Sequence, residues 1–188
     1  MPSLRLFIAV ETPPDIKPQI AAIGDRLRTC GADVKWEPDE KLHATIKFLG
    51  SADEGLLPEI VSLSKGVCSA FPSLSLKYSG VGCFPNLRAP RVVWIGMKEP
   101  EGTLESLQHK LEAAVEPLGF KREDRDFHPH VTLGRVKSQK RIGSLLRMME
   151  SITFESQPVI INEIVLIKSE LKSSGSVYTT LHAFPLTA

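Results

Sequence analysis

The sequence predicts an α+β fold built on largely antiparallel strands. Three observations lead there. Segments with helical apolar spacing alternate with segments of strand-like alternation, the last two strand runs join like a hairpin, and no Pro/Gly/Ser-rich linker divides the chain. With 188 residues, 42% of them hydrophobic and 24% charged, the chain can bury a core as one domain or as two small lobes of one unit.

The elements follow in order. Residues 4–10 read as a first strand, closed by the turn Thr12-Pro13-Pro14. Asp15 stands where it can cap a helix with the apolar stripe Ile16, Ile20, Ile23 and Leu27, stopped near Gly31. Residues 34–36 form a short strand, and Glu37-Pro38-Asp39-Glu40 turns the chain into a strand over 42–50. Leu56, Ile60, Leu63, Val67 and Phe71 mark a second helix, with Pro58 near its start, where a missing N–H is tolerated. Leu74, Leu76 and Tyr78 alternate as a strand, and residues 91–96 form another after the loop 84–90. Thr103 caps a third helix bearing Leu104, Leu107, Leu111 and Leu118 and ended by Gly119. A charged loop, 121–126, leads into the strand 127–134. Ser138 caps a fourth helix with Ile142, Leu145 and Met149, and the runs 159–171 and 177–184 form the closing hairpin around Lys172-Ser173-Ser174-Gly175-Ser176.

Composition excludes several classes. A net charge of +1 is too small for wholesale phosphate neutralisation along nucleic acid, though it leaves room for a local basic cleft. No apolar run approaches a membrane span, and Arg5 and Glu11 interrupt any signal-like stretch. Cys30, Cys68 and Cys83 are spaced for neither a disulfide framework nor a zinc site, which places the protein in a reducing cytoplasm.

One short element occurs twice: His43-Ala44-Thr45 and His130-Val131-Thr132. Five histidines in this composition give roughly a quarter of one His-x-Thr by chance, so two copies on strand-like stretches, each ending in an apolar-Gly pattern, carry weight. The bland alternative is a pair of ordinary half-exposed strand polar residues. On a strand, residues two apart share a face, so each copy presents an imidazole beside a hydroxyl while Ala44, Ile46 and Phe48, or Val131 and Leu133, face the core. Two such faces across a cleft suit a phosphate. Histidine is the side chain whose ordinary pKa lets one copy accept a proton and the other donate one near pH 7, and the hydroxyls can hold non-bridging oxygens. No metal or other cofactor is required. The reaction best served is hydrolysis or transfer at a phosphodiester, a strained cyclic phosphate above all.

The two motifs resemble the paired signatures of the 2H phosphoesterase superfamily. Arg5-Leu6-Phe7-Ile8-Ala9-Val10, Trp36-Glu37-Pro38 before Leu42-His43, Phe84-Pro85 before Pro90-Arg91-Val92, and Phe127 through Arg135 are similar to the RNA 2′,3′-cyclic phosphodiesterases, also called 2′-5′ RNA ligases. The resemblance spans nearly the whole chain in order and spacing. It implies a single bilobal domain over 1–188, with two largely antiparallel sheets related by pseudo-twofold symmetry about a cleft. It also implies metal-free opening of a terminal ribose 2′,3′-cyclic phosphate of RNA to a 2′-phosphate, reversible in some members as 2′-5′ joining. Catalysis falls to His43 and His130, and phosphate binding to Thr45 and Thr132. Ala44 departs from the larger aliphatic usual at its position. His130 is assigned as general base and His43 as general acid, with the reverse left open by the symmetry.

Arg135 matches a family position, but strict alternation puts it opposite His130, so a phosphate-binding role needs a bend at Gly134. Lys47 shares the parity of His43 and Thr45 and is the second tentative phosphate ligand, against a plain surface lysine. Phe48 and Phe127 are candidates to stack on a base, with core packing the better expectation for Phe48. His128 begins a His-x-His that could open a metal site with Asp124 or Asp126, although a loop role suits it better; His109 and His182 have no partner motif. Arg88, Arg91, Lys121, Arg122, Arg125, Arg135, Lys137, Lys140 and Arg141 are a candidate RNA-binding rim, interleaved with Glu123, Asp124 and Asp126. Rival readings are a phosphodiesterase for a small cyclic nucleotide or an ADP-ribose cyclic phosphate, a non-catalytic nucleotide- or RNA-binding module, and a metal-dependent phosphohydrolase using His128 and His130. The expected partner is an RNA end or a related cyclic nucleotide, bound by a monomer without a membrane.

Overall fold

The computed structural model describes residues 3–173 and 175–187. Chain order is β1 (Ser3–Glu11), α1 (Lys17–Arg28), β2 (Val34–Trp36), β3 (His43–Asp53), α2 (Leu57–Cys68), β4 (Leu74–Phe84), β5 (Val92–Lys98) and α3 (Thr103–Val115). There follow β6 (His130–Val136), α4 (Ile142–Glu150), β7 (Val159–Ile161), β8 (Glu163–Lys172) and β9 (Gly175–Pro185). The fold is α+β and the predicted elements occur in order, except that the run 159–171 is two strands: β7 pairs with β4, and β8 alone forms the closing hairpin with β9. Lys172 pairs with Gly175 at the closing hairpin, of which Ser174 lies outside the described residues.

Every strand pair is antiparallel, and the path runs β7-β4-β5-β6-β3-β1-β8-β9, with β2 on β6. At its middle, β3 and β6 meet through one register pair, Ala44 with Val131. A half of five strands (β7, β4, β5, β6 and β2) and a half of four (β3, β1, β8 and β9) therefore meet at the two strands that carry the repeated motif. One sheet face is covered by helices: α2 and α3 pack on each other and over β3, β8 and β9, while α1 packs on α4 and α4 over β4. The main core runs continuously beneath both halves, from Leu6, Ile8 and Val10 through Ala44 to Ile95, Val131 and Leu133. On the other face Phe7, Ala9, Val165 and Ile167 form a small second cluster with Tyr178. Strand β1 is thus apolar on both faces, which its sequence does not betray by alternation.

The helix starts differ from expectation. Asp15, Thr103 and Ser138 do not cap. The first helix enters through Ile16 with Pro18 in its first turn, a position that needs no N–H partner. The third starts at Thr103 after Gly102 (φ 72°), and it is the Glu99 carboxylate that accepts from Leu104 N–H at 3.1 Å. The Ser138 hydroxyl accepts from Lys140 N–H within the preceding turn instead. Both motif strands also run past the glycines expected to end them, Gly50 and Gly134.

Candidate active site

The register between β3 and β6 builds the site. With Ala44 opposite Val131, continuing the antiparallel ladder one residue either way sets His43 opposite Thr132 and Thr45 opposite His130. Directly opposed Cβ atoms in an antiparallel pair stand about 5 Å apart, so this register brings two imidazoles and two hydroxyls together on one face. Ala44 and Val131, wholly buried, face the helix-covered core. The four polar side chains, half-buried, share the opposite face.

Both rings are held alike. His43 Nδ1 lies 2.6 Å from the Lys41 carbonyl and His130 Nδ1 2.6 Å from the His128 carbonyl. A carbonyl only accepts, so each Nδ1 carries its hydrogen. In the neutral ring, Nε2 keeps the lone pair and can take a proton; in the charged ring it can give one.

Past each threonine the strand carries a bulge at the same place. Thr45 opposes Ala9 and Lys47 opposes Ile8, leaving Ile46 extra; Thr132 opposes Trp94 and Gly134 opposes Val93, leaving Leu133 extra. One extra residue inverts the facing of the residues directly after it, as far on β3 as a second shift at Leu49. Lys47, expected to reach phosphate, is turned into the core instead: it is 1% exposed, with Nζ 2.9 Å from Glu112 Oε1 and the Lys121 carbonyl as second acceptor. Phe48, expected in the core, is 57% exposed on the motif face, its ring 6.3 Å from that of Phe7. Arg135 gains the bend that its role requires and comes round, exposed, to the face of His130. Gly134 occupies the place of Lys47, where a Cβ would stand 2.7 Å from Val34 Cγ1.

Aromatic walls enclose each ring. His43 lies 4.9 Å from Phe7 and 5.3 Å from Tyr178, His130 4.9 Å from Phe84 and 6.3 Å from Trp94, between ring centroids. This burial is the largest influence on both imidazoles and lowers each pKa from the ordinary 6.5, against the carbonyl hydrogen bonds that raise it. The charges then differ. Glu37 and Glu11 push His43 back up, with Lys17 opposing, whereas His128, Arg135 and His43 push His130 further down. Glu11 faces His43 across the ladder at the position where Gly96 faces His130.

The remaining candidates separate. His128 turns its ring to Phe84 (5.5 Å) and Trp94 (5.1 Å), and among the described residues no three His, Cys, Asp or Glu side chains gather as a metal site. Phe127 packs against the main core, His109 is exposed on α3, and His182 stacks on Phe184. Of the basic residues, Arg122 pairs with Glu116 at 2.9 Å, while Arg88, Arg91 and Arg135 are exposed. Cys30, Cys68 and Cys83 are buried and free. Sequence reasoning did not single out Tyr178, Trp94, Glu11 or Glu37 as site residues. The only signal for Glu11 was parity on β1 with Phe7 and Ala9; Tyr178 arrives from the far end of the chain. Among the described residues no helix is long and apolar enough to cross a membrane.

Residues 12–172 match the 2′-5′ RNA ligase superfamily. The chain is 34% identical over 186 residues to the RNA 2′,3′-cyclic phosphodiesterase of Methanothermobacter thermautotrophicus, covering 97% of this chain and 99% of the relative. It is 36% identical over 182 residues to the enzyme of the same name from Archaeoglobus fulgidus, covering 96% and 99%. Among solved structures, E. coli LigT complexed with 3′-AMP superposes with a TM-score of 0.80 at 26% identity, over the full length of both chains.

Proposed function

The chain belongs to the 2′-5′ RNA ligase superfamily, and we propose that it opens the terminal 2′,3′-cyclic phosphate of an RNA to a 2′-phosphomonoester. The observation that carries the reading is the cross-strand quartet of His43, Thr45, His130 and Thr132, with both Nε2 atoms left unengaged by the Nδ1 hydrogen bonds. The activity for which the relatives are named and the 3′-AMP bound by LigT support the substrate class.

In this reading His130 Nε2 takes a proton from water as the water oxygen bonds to phosphorus. The bond from phosphorus to the ribose 3′-oxygen breaks, and His43 Nε2–H gives that oxygen its proton. The charges beside the rings support this assignment over its mirror image: burial lowers both imidazoles, but Glu37 and Glu11 favour the protonated form of His43, whereas Arg135 disfavours that of His130. Thr45 and Thr132 donate to the non-bridging oxygens and hold phosphorus in line between the two rings. Arg135, on the same face, draws the phosphate in. If the 5′-hydroxyl of a second RNA takes the place of water, the same proton transfers make a 2′-5′ bond, which is the reversible joining reaction.

The test is a short RNA ending in a 2′,3′-cyclic phosphate, incubated with the protein and a chelator, with the phosphate position read by chromatography. A 2′-phosphate that appears with the wild type, and with neither His43→Ala nor His130→Ala, is the expected result. A folded wild type that opens a small cyclic nucleotide but not the RNA end would move the substrate to that smaller class.

A further inference from the structure

We propose that the cavity beyond Trp94 is a binding site for the 5′-terminal nucleoside of a second RNA, the one whose 5′-hydroxyl replaces water in the joining reaction. The inference rests on the hydrolase reading above and assigns that reaction its second substrate site. The cavity is a depression open to solvent, of about 650 Å³, lined by Val81, Gly82, Cys83, Asn86, Leu87, Arg88 and Trp94, so a nucleoside would lie across it with one side in water.

Its position follows from the ladder. Trp94 stands opposite Thr132 on one side and Gly82 on the other, so its indole lies on the motif face between the quartet and the cavity. Two bare positions let it lie there: a Cβ on Gly82 would stand 2.2 Å from the indole, and one on Gly96 3.3 Å from it. The indole reaches to 6.3 Å from the His130 ring and 5.1 Å from Phe84, which itself flanks His130 at 4.9 Å. A ligand on Trp94 is therefore a neighbour of His130, not of His43.

That side is the meaningful one. In an in-line displacement the attacking and leaving oxygens stand on opposite sides of phosphorus. The ribose that bears the cyclic phosphate must then lie toward the acid, His43, and the carrier of the attacking hydroxyl toward the base, His130. In the other half-site the position equivalent to Trp94 is Ala9, opposite Thr45, and it offers no such platform. The chemistry of the lining suits a nucleoside followed by a phosphate. Trp94 supplies a stacking face, Leu87 (50% exposed) an apolar edge, and the exposed Arg88 a cation at the rim. The loop is held ready by Asn86 Oδ1, which accepts from the Arg88 and Ala89 N–H groups at 3.0 and 3.2 Å. In the joining step the 5′-oxygen bonds to phosphorus as its proton passes to His130, while the 3′-oxygen leaves with the proton of His43.

The experiment mixes an RNA ending in a 2′,3′-cyclic phosphate with a second RNA bearing a free 5′-hydroxyl, and reads 2′-5′ joined product against 2′-phosphate in the same tube. Both products are expected from the wild type, and the joined-to-hydrolysed ratio should fall about tenfold in Leu87→Ala/Arg88→Ala. An acceptor whose first nucleotide is abasic should lower the ratio in the wild type and add little in the double variant. Hydrolysis within each tube reports that the variant is folded. An unchanged ratio, or a wild type that hydrolyses yet never joins at saturating acceptor, overturns the acceptor site and leaves the hydrolase reading standing. A wild type that does not open the cyclic phosphate at all overturns both.

Discussion

The half-site on β3 and the half-site on β6 share one backbone and differ in what is hung on it. Each has His-x-Thr, an Nδ1–H bond to the carbonyl two residues back, and a bulge directly past the threonine. The equivalent positions then part: Glu11 against Gly96 beside the histidine, Ala9 against Trp94 beside the threonine, Lys47 against Gly134, and Phe48 against Arg135. Backbone symmetry sets the two motifs side by side, and side-chain asymmetry distinguishes them. Two identical halves would offer two equal imidazoles with no reason for one to be acid and the other base.

The largest expected effect tests that direction. Either histidine replaced by Ala should lower kcat/KM on an RNA cyclic phosphate by about 10³-fold, with the circular dichroism spectrum unchanged. A phosphodiester with a p-nitrophenolate leaving group needs no proton on departure. On that substrate His43→Ala should keep most of the wild-type rate and His130→Ala should still lose it. The opposite pattern would exchange the roles.

A second comparison concerns stability at the bulge. Lys47 and Gly134 hold equivalent places, one filled by a buried ion pair and the other closed by packing. Lys47→Ala strands the Glu112 carboxylate, which is 5% exposed on its side chain and also accepts from Glu123 N–H at 3.1 Å. The loss should be about 3–5 kcal/mol in urea unfolding. Replacing both partners by Met and Leu should recover most of it, since the desolvation cost of both charges goes with them. Gly134→Ala should cost about 1–3 kcal/mol, because the new Cβ meets Val34 Cγ1 at 2.7 Å and Trp36 Cε3 at 2.9 Å. Equal losses from Lys47→Ala and Lys47→Met/Glu112→Leu would show that the pair is not what holds the bulge.

These residues also mark what the sequence made legible. Element order, the repeated motif and the face it presents were readable, because alternation and helical spacing are local. Facing beyond the motif was not. A bulge leaves no mark in a run such as Ile46-Lys47-Phe48, where either facing gives a plausible strand, so Lys47 and Phe48 were exchanged. Caps failed for a related reason: Asp15, Thr103 and Ser138 are good capping residue types, but Pro18, Gly102 and Arg141 set where each helix begins. The aromatic partners of the two imidazoles come from β1, β4, β5 and β9, and only the register brings them in.

Phe48 and Arg135 carry the next smaller test. Both leave the strand five residues after their histidine, one as an exposed ring and the other as an exposed cation. Phe48→Ala should raise KM for a nucleoside cyclic phosphate by about tenfold, the scale of one base stacked on an aromatic face, and leave kcat within about twofold. An equal fall in kcat instead would mean that the ring supports the His43 wall through Phe7 and touches no base.

The finest expected effect lies in the pH profile. Burial holds both imidazoles below 6.5, so the bell of kcat/KM should peak below pH 6.5, and it should be His43 that sets the alkaline limb. Glu11 raises His43, so Glu11→Gln should move the alkaline limb to lower pH. Arg135 lowers His130, so Arg135→Gln should move the acid limb to higher pH. Each change narrows the bell from its own side, by less than about one unit for a single neighbouring charge partly open to solvent. Should Glu11→Gln move the acid limb instead, His43 would be the lower of the two groups. The asymmetry of charge would then fail to set the order of titration, and the direction of the site would fall to uncharged differences such as Trp94 against Ala9.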